Sequence, residues 1–261
     1  MKKTSIRKDI FLFLKNPDFN PYPNLSIKDK IVILLKILIL TYFALFITNI
    51  LTNILKDLNI ISDVSSKILK ITNHQNVRNS NYRIYFIFFI IFSTPLFEEF
   101  TFRLFLKKFK LKYFIFSISL LLGLYISSFF ERYFWTPKSF FPLLLIGKFY
   151  IIIISAIIGL GLYTLRDKIV KLEKFWNNNS RLIFYIVAIL FSIIHITSIQ
   201  FDNSDWIYMP IILLPYFIYG ISFGYIRIKL GLIYSITLHF LILCIHFGLP
   251  ILITALKANN G

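Results

Sequence analysis

The chain has 261 residues, of which 57% are hydrophobic and 30 are phenylalanine, and its mean hydropathy is +0.73. The apolar residues come in long runs, which excludes an ordinary soluble domain and predicts an integral membrane protein. The formal net charge of +17 would suit a nucleic-acid-binding protein. However, no basic stripe stands apart from the predicted membrane edges, so nucleic acid is not expected as a partner.

Residues 1–30 form a polar and basic segment before the first apolar run. Within it Ile10, Phe13 and Leu14 fall at helical spacing among Lys and Arg, which predicts a short helix on the inner membrane surface. A solvated cytoplasmic tail explains the same residues equally well. The rest of the chain, residues 31–261, is expected to form one transmembrane domain.

Seven apolar stretches reach or approach the roughly 20 residues that a helix needs to cross a bilayer. The predicted fold is therefore all-α, a polytopic membrane bundle of about seven transmembrane helices. The predicted spans lie near residues 31–55, 84–106, 113–130, 140–165, 182–201, 206–226 and 230–256.

Basic residues are distributed unevenly over the predicted loops. If the N-terminus is cytoplasmic, more than twice as many of the 29 Lys and Arg residues fall on the cytoplasmic side as on the outer side. Because short cytoplasmic loops carry such an excess, the N-terminus is predicted to be cytoplasmic. The charge then attracts anionic lipid headgroups. The short loops and the Phe- and Ile-rich spans favour a bacterial inner membrane.

Two adjacent carboxylates, Glu98 and Glu99, lie inside the second predicted span, shortly after Pro95. Carboxylates are costly in a membrane and mark functional sites there. Arg103 follows Glu99 by four residues, so these two side chains are expected to pair on one helix face. Glu98 points away from that pair and is left to act as a general base. The proline is expected to kink the helix and to admit water.

Histidines supply further polar groups in the predicted spans. His195 follows Phe191 by four residues, and His239 and His246 stand one heptad apart. Counted at 1.5 Å per residue, Glu98, His195 and His239 lie about 12–20 Å from the cytoplasmic ends of their spans. Helix tilt reconciles these depths, so we expect one shared site. A purely structural network of ion pairs and hydrogen bonds between helices is the alternative.

Three sequence patterns resemble those of the CPBP intramembrane proteases, which join the CAAX-prenyl endopeptidases to the bacteriocin-processing and immunity proteins of the Abi group. Residues 98–103, Glu-Glu-Phe-Thr-Phe-Arg, resemble the family signature Glu-Glu-x-x-x-Arg. Residues 191–195, Phe-Ser-Ile-Ile-His, are similar to its Phe-x-x-x-His signature. Residues 220–231, which lead to His239, are similar to its third region. The patterns keep the family order, each on its own predicted span.

This resemblance implies a protease that hydrolyses peptide bonds of a membrane-associated protein or peptide at or within the lipid bilayer. It implies that Glu98 and His195 activate the attacking water. Glu99 and Arg103 would hold the site in register, and His239 would bind the water or the oxyanion. Glu98, His195 and His239 would also suit zinc, and a reaction without a metal is the alternative.

Two features depart from the family pattern. The family usually places Asn or Asp four residues after the last histidine, and here that residue is Leu243. A lost oxyanion donor costs about 10²–10³ in rate. The stretch between Glu98 and His195 is also long, because it holds the two predicted spans 113–130 and 140–165.

Two other classes of function therefore compete with the protease. One is a catalytically impaired member of the family that acts as a membrane binding, immunity or scaffold protein, and Leu243 favours it. The other is a small proton-coupled transporter, which would use Glu98, Glu99 and the histidines as a relay. The sequence shows no internal repeat, and this counts against a transporter.

Overall fold

The computed structural model describes the backbone of residues 6–58, 80–134, 140–198 and 205–249. These ranges are predominantly helical and contain no strand, which confirms the all-α prediction. The chain forms two compact units. The first unit comprises Met1–His74 and Asn179–Ser235, and the second comprises Gln75–Asn178 and Ile236–Gly261.

The α-helices follow one another through both units, with short irregular turns between some of them. They are α1 (Ile6–Lys15), α2 (Ile27–Asp57), α3 (Ser80–Phe102), α4 (Leu111–Phe134), α5 (Phe140–Thr164), α6 (Arg166–Val170), α7 (Leu172–Asn178), α8 (Ser180–Ile194), α9 (Met209–Ile212), α10 (Leu214–Lys229) and α11 (Leu232–Leu243). Single 3-10 turns lie at His195–Ser198 and Asp205–Tyr208. A π-helical turn, Cys244–Gly248, follows α11.

One helix among the described residues, α2, is long and apolar enough to cross a bilayer. The segments Tyr150–Thr164 and Arg166–Asn178 pass the same test together, with a bend of 76° between them. The first predicted span, 31–55, therefore coincides with a span candidate over its whole length. The arrangement of seven spans stays a prediction.

Several predicted spans coincide with helices that break or end early. The predicted span 206–226 is interrupted between α9 and α10, where Pro210 and Pro215 each occupy the first turn of a helix. Proline suits a first turn but cannot continue a preceding helix, since it has no N–H group to donate. The helix of span 182–201 ends at Ile194. The last predicted span, 230–256, runs past residue 249 and so beyond the described residues.

The first unit is held together by a close crossing of α8 and α10. A Cβ atom added at Gly220 would lie 3.0 Å from the carbonyl oxygen of Ala188 and 3.1 Å from its Cα atom. Small residues allow such close approach of two helix backbones. Ser192 adds a hydrogen bond from its hydroxyl to the carbonyl oxygen of Leu213, at 2.9 Å. This crossing fixes α8, which carries His195 at its end.

The N-terminal helix α1 belongs to the first unit. Its Ile10 and Phe13 are buried, and Phe13 packs edge-on against Phe184 with ring centroids 5.1 Å apart. Further along, Lys229 donates a hydrogen bond of 2.8 Å to the Asp18 carboxylate. Burial alone would raise the pKa of Asp18, but the bond and charge of Lys229 lower it below its ordinary value. The predicted position of α1 on a membrane surface stays a prediction.

The second unit pairs α4 with α5 along small residues. A Cβ atom added at Gly123 would lie 3.1 Å from the Ile151 carbonyl oxygen and 2.1 Å from the Ser155 hydroxyl. A cluster of four aromatic rings packs where the chain turns between α3 and α4. Its members are Phe105, Phe109, Phe114 and Trp176. It anchors the turn that directly follows α3.

Gly220→Leu is expected to destabilise the protein by about 1–3 kcal/mol, because the new side chain meets the backbone of α8 and overpacks the crossing. The free energy of unfolding in detergent micelles would measure this effect. Gly161→Leu is the control, since none of the described atoms lies within 4 Å of a Cβ atom added there. We expect this second variant to be neutral or slightly stabilising, because it removes a helical glycine. Equal losses in both variants would contradict the close crossing.

Candidate active site

The last turn of α3 presents both carboxylates of the site. The helix continues through Pro95 and ends at Phe102. The Ser117 hydroxyl of α4 donates a hydrogen bond to the Phe100 carbonyl oxygen at 2.9 Å. This carbonyl lies in the last turn, where it has no partner within its own helix. The bond therefore caps α3 and fixes the turn that carries Glu98 and Glu99.

Glu99 lies at the centre of a buried charged group. Its side chain and that of Arg103 both have 0% exposure, and Arg103 Nη1 lies 3.8 Å from Glu99 Oε1. The pairing that the four-residue spacing predicts is therefore confirmed. A second partner lies on the same oxygen, since His239 Nδ1 is 3.3 Å away. Arg103 also places its guanidinium 5.5 Å from the centre of the Phe102 ring.

A tight turn between α10 and α11 starts the helix that carries His239. Gly231 has φ +114°, in the left-handed region that favours glycine. The N–H groups of Leu230 and Gly231 both donate to the Ile226 carbonyl oxygen, at 2.8 and 3.2 Å. The Ser235 hydroxyl then donates to the Phe223 carbonyl oxygen at 3.0 Å. His239 follows one turn later along α11.

The His239 ring lies between the two carboxylates. Its Nδ1 faces Glu99, and its Nε2 lies 3.9 Å from Glu98 Oε2. The second distance is too long for a hydrogen bond, so Glu99 is the carboxylate that orients the ring. The Glu98 side chain is 20% exposed, whereas that of Glu99 is 0% exposed. Of the two side chains, Glu98 is therefore the one that is partly accessible, although its Oε2 atom is itself buried.

His195 lies in the first unit, directly after α8. Its Nδ1 is 2.7 Å from the Phe191 carbonyl oxygen, and a carbonyl oxygen only accepts hydrogen bonds, so Nδ1 carries a proton. In the neutral ring Nε2 therefore holds the lone pair. The ring stacks on Tyr216 of α10, with centroids 4.3 Å apart and planes inclined by 25°. Tyr216 was not predicted as a neighbour of His195, because no periodicity in the sequence links the two residues.

The structure thus brings four predicted site residues together in the second unit: Glu98, Glu99, Arg103 and His239. His195 belongs to the first unit. No group of three or more His, Cys, Asp or Glu side chains that could hold a metal ion is found in the described part of the chain. The zinc ligand set therefore stays a prediction.

Leu243 and His246 lie at and just beyond the end of α11. Leu243 is the final residue of α11 and directly precedes the π-turn. His246 lies within this turn and is exposed. Its ring forms a hydrogen bond with the backbone of Ile242. His246 is therefore engaged with its own helix.

Arg103→Leu is expected to destabilise the protein by about 3–5 kcal/mol, because it leaves the Glu99 charge buried without its arginine. The double variant Glu99→Leu with Arg103→Leu should lose less, since neither charge then remains. Unfolding in detergent micelles would measure both. The control is Arg166→Leu, whose exposed partner Asp167 lies 3.7 Å away and which should cost less than about 1 kcal/mol. A double variant that loses as much as or more than Arg103→Leu alone would contradict the coupling.

Comparison with known proteins places this site in a family. The model of the family described as Type II CAAX prenyl endopeptidase Rce1-like matches residues 80–245, which is more than half of the chain. The matched range contains Glu98, Glu99, Arg103, His195 and His239. No curated protein and no solved structure matches the chain. Since the match covers this range, the chain belongs to the Rce1-like family of type II CAAX prenyl endopeptidases, whose members are membrane-embedded.

Proposed function

We propose that this protein is an intramembrane endopeptidase that hydrolyses a peptide bond with a water molecule activated by Glu98. The observation that carries the proposal is the placement of the His239 ring between the Glu98 and Glu99 carboxylates. The family membership supports the same reaction. A base beside the water and donors beside the developing negative charge are what amide hydrolysis needs.

Glu98 takes the role of general base. Its partial exposure lets it meet a water molecule, while the complete burial of Glu99 excludes that carboxylate from the reaction. In the proposed step Glu98 accepts a proton from water as the water oxygen attacks the scissile carbonyl carbon. Glu98 then gives this proton to the amide nitrogen as the carbon–nitrogen bond breaks.

His239 takes the role of oxyanion donor. The Glu99 carboxylate accepts a hydrogen bond from Nδ1 and thereby fixes the plane of the ring. In the doubly protonated ring the second proton, on Nε2, points toward the Glu98 side, where negative charge develops on the carbonyl oxygen. Arg103 holds Glu99 in place through their ion pair. Glu99 and Arg103 are thus positioning residues, while Glu98 and His239 meet the reacting atoms.

His195 is assigned a share in water activation. The family resemblance supports this role, and so does its own geometry, because the bond from Nδ1 to Phe191 leaves Nε2 as the basic nitrogen. The steps proposed here pass through side chains alone. If zinc binds, Glu98, His195 and His239 are its candidate ligands, and it would polarise the scissile carbonyl.

We also propose a polytopic protein with about seven spans, a cytoplasmic N-terminus and a bacterial inner membrane as its location. The family membership supports the membrane, and the bias of Lys and Arg toward one side supports the orientation. Candidate substrates are prenylated proteins, bacteriocin leaders and membrane-anchored regulators. They share a peptide segment that reaches the lipid bilayer.

A catalytically impaired binding, immunity or scaffold protein is the second candidate. Leu243 favours it, because a leucine side chain has no group to donate to an oxyanion. Such a protein would keep the buried charged group around Glu99 for stability and would capture a membrane peptide without cutting it. The two candidates differ in one observable, the appearance of new protein N-termini.

Glu98→Gln is expected to abolish cleavage, because the amide that replaces the carboxylate cannot accept a proton from water. Protein N-termini would be compared between membranes of cells that express the wild type and the variant at equal levels. Termini found only with the wild type would support proteolysis and would name the substrate. The control is Glu173→Gln, at an exposed glutamate of α7, which should keep the wild-type termini.

Identical termini in all three samples and in a strain without the protein would overturn the protease and favour the binding protein. The next experiment would then be capture of the partner by the wild-type protein. Termini that persist in Glu98→Gln but disappear in a strain without the protein would instead show proteolysis with a different base. That result would overturn only the role of Glu98 as the base and would leave the protease function in place.

Leu243→Asn is expected to increase the cleavage rate, because an amide at this position adds an oxyanion donor, and such a donor is worth about 10²–10³ in rate. The substrate identified from the N-termini would serve in a purified assay that measures kcat. Leu241→Asn is the control, since it adds the same amide to the same helix two residues earlier. Equal rates for the wild type and Leu243→Asn would show that this chain needs no donor at position 243.

A further inference from the structure

We propose that the second unit carries a binding surface for the headgroups of anionic phospholipids. This basic surface consists of the exposed side chains of residues 107–112, in the turn from α3 into α4, and of residues 166–174, in the helices α6 and α7. The uneven distribution of Lys and Arg in the sequence predicts a general attraction to lipid, whereas the structure joins two of these segments into one surface. The surface is independent of the proposed function, since a lipid can bind there whether or not a peptide is cleaved.

The two segments of the basic surface are distant in sequence and bonded to each other. The Trp176 indole N–H of α7 donates a hydrogen bond to the Lys107 carbonyl oxygen at 3.2 Å. The Phe109 N–H donates to the side-chain oxygen of Asn177 at 2.9 Å. The Trp176 ring also packs edge-on against Phe105, with ring centroids 5.4 Å apart. These contacts hold the turn and α7 together, so the exposed lysines of both lie side by side.

The charge of the basic surface has mainly one sign. Eight of its exposed side chains are Lys or Arg, and two, Asp167 and Glu173, are acidic. Asp167 lies 3.7 Å from Arg166 and offsets the charge of that residue. The others leave a clear positive surplus. Clusters of about four to eight Lys and Arg residues beside a membrane span are typical of sites that bind anionic lipid headgroups.

The α6 and α7 helices have the composition of a segment that lies in the plane of a membrane surface. The chain bends by 76° directly after Thr164, which redirects it across the axis of α5. Ile169 and Trp176 are buried, whereas Leu172 and Phe175 are exposed among the lysines. Exposed apolar side chains of this kind enter the boundary between headgroups and acyl chains, while the neighbouring lysines reach the phosphate groups.

The exposed apolar side chains also decide between lipid and other acidic partners. Nucleic acid or an acidic protein segment would meet the lysines but would leave Leu172 and Phe175 without an apolar environment. The family to which the chain belongs is membrane-embedded. Both segments of the basic surface are predicted on the same, cytoplasmic side of the membrane. An anionic phospholipid satisfies the charge, the apolar side chains and the predicted side together.

The test uses the fluorescence of Trp176, which lies between the two segments of the basic surface. The chain has three tryptophans, so Trp135→Phe with Trp206→Phe leaves Trp176 as the single fluorophore. The full-length protein would be placed in phosphatidylcholine vesicles with increasing fractions of brominated phosphatidylglycerol. Bromine quenches a nearby indole, and the quenching therefore reports which lipid lies beside this surface. Phosphatidylglycerol should quench more strongly than the same fraction of brominated phosphatidylcholine.

Lys107→Gln with Lys174→Gln removes two positive charges beside Trp176. The preference for phosphatidylglycerol should fall by about 5-fold for each lysine, the effect of one basic residue near an anionic membrane surface. Lys107→Arg with Lys174→Arg keeps both charges and should keep the preference. Lys15→Gln with Lys28→Gln is the control, since it removes two exposed lysines from the first unit. Higher salt should lower the preference of the wild type, because it screens exposed charges.

The opposite results would overturn the proposal. Equal quenching by the two brominated lipids would exclude the lipid and favour an acidic protein segment as the partner. A preference that survives the two Gln substitutions, or that is lost with the two Arg substitutions, would contradict recognition by these charges. An equal loss in the control with Lys15 and Lys28 would show a general effect of net charge and would exclude a defined surface. None of these measurements depends on cleavage, so the proposed function is tested separately.

Discussion

A carboxylate without any exposure to its surroundings has to be compensated, and in this protein that carboxylate is Glu99. Its neighbours are a guanidinium and an imidazole, which meet the same oxygen at 3.8 and 3.3 Å. Buried ion pairs seldom add net stability compared with apolar residues, but they are very costly to break. The group therefore constrains the end of α3 and the position of His239 on α11, whatever it contributes to the overall free energy of folding.

That constraint separates the roles of two neighbouring carboxylates that are identical in chemistry. Glu99 contacts Arg103 and His239, and its side chain has no exposure to water. Glu98, one residue earlier, faces the other nitrogen of the same imidazole and keeps a fifth of its side chain exposed. One helical position thus separates the buried, supporting carboxylate from the proposed general base. The resulting order of arginine, carboxylate and histidine resembles the way in which a buried carboxylate orients a histidine in other hydrolases.

The sequence predicted those parts of the site that depend on short separations. Helical spacing predicted the pairing of Glu99 with Arg103. The patterns that resemble the CPBP family indicated Glu98, His195 and His239 as candidate site residues. Spacing could not predict that His239 would meet Glu99, because the two residues lie 140 positions apart on different helices. It also missed Tyr216, which reaches His195 through the crossing of α8 and α10. The predicted span 206–226 did not show the break between α9 and α10, where Pro210 and Pro215 each lie in the first turn of a helix. Mean hydropathy over a long window does not detect such a break, because the residues on both sides of it are apolar.

The heptad that relates His239 to His246 assumes an unbroken α-helix. The helix instead changes to a π-turn directly after Leu243, and this change rotates the residues beyond it away from the α-helical face. His246 is accordingly exposed and bonded to its own backbone, so it does not replace the polar side chain that position 243 lacks. Stabilisation of the oxyanion in the proposed reaction then falls to His239. Since Glu99 orients that ring, the fully buried carboxylate supports the chemistry that Glu98 and His239 are proposed to perform.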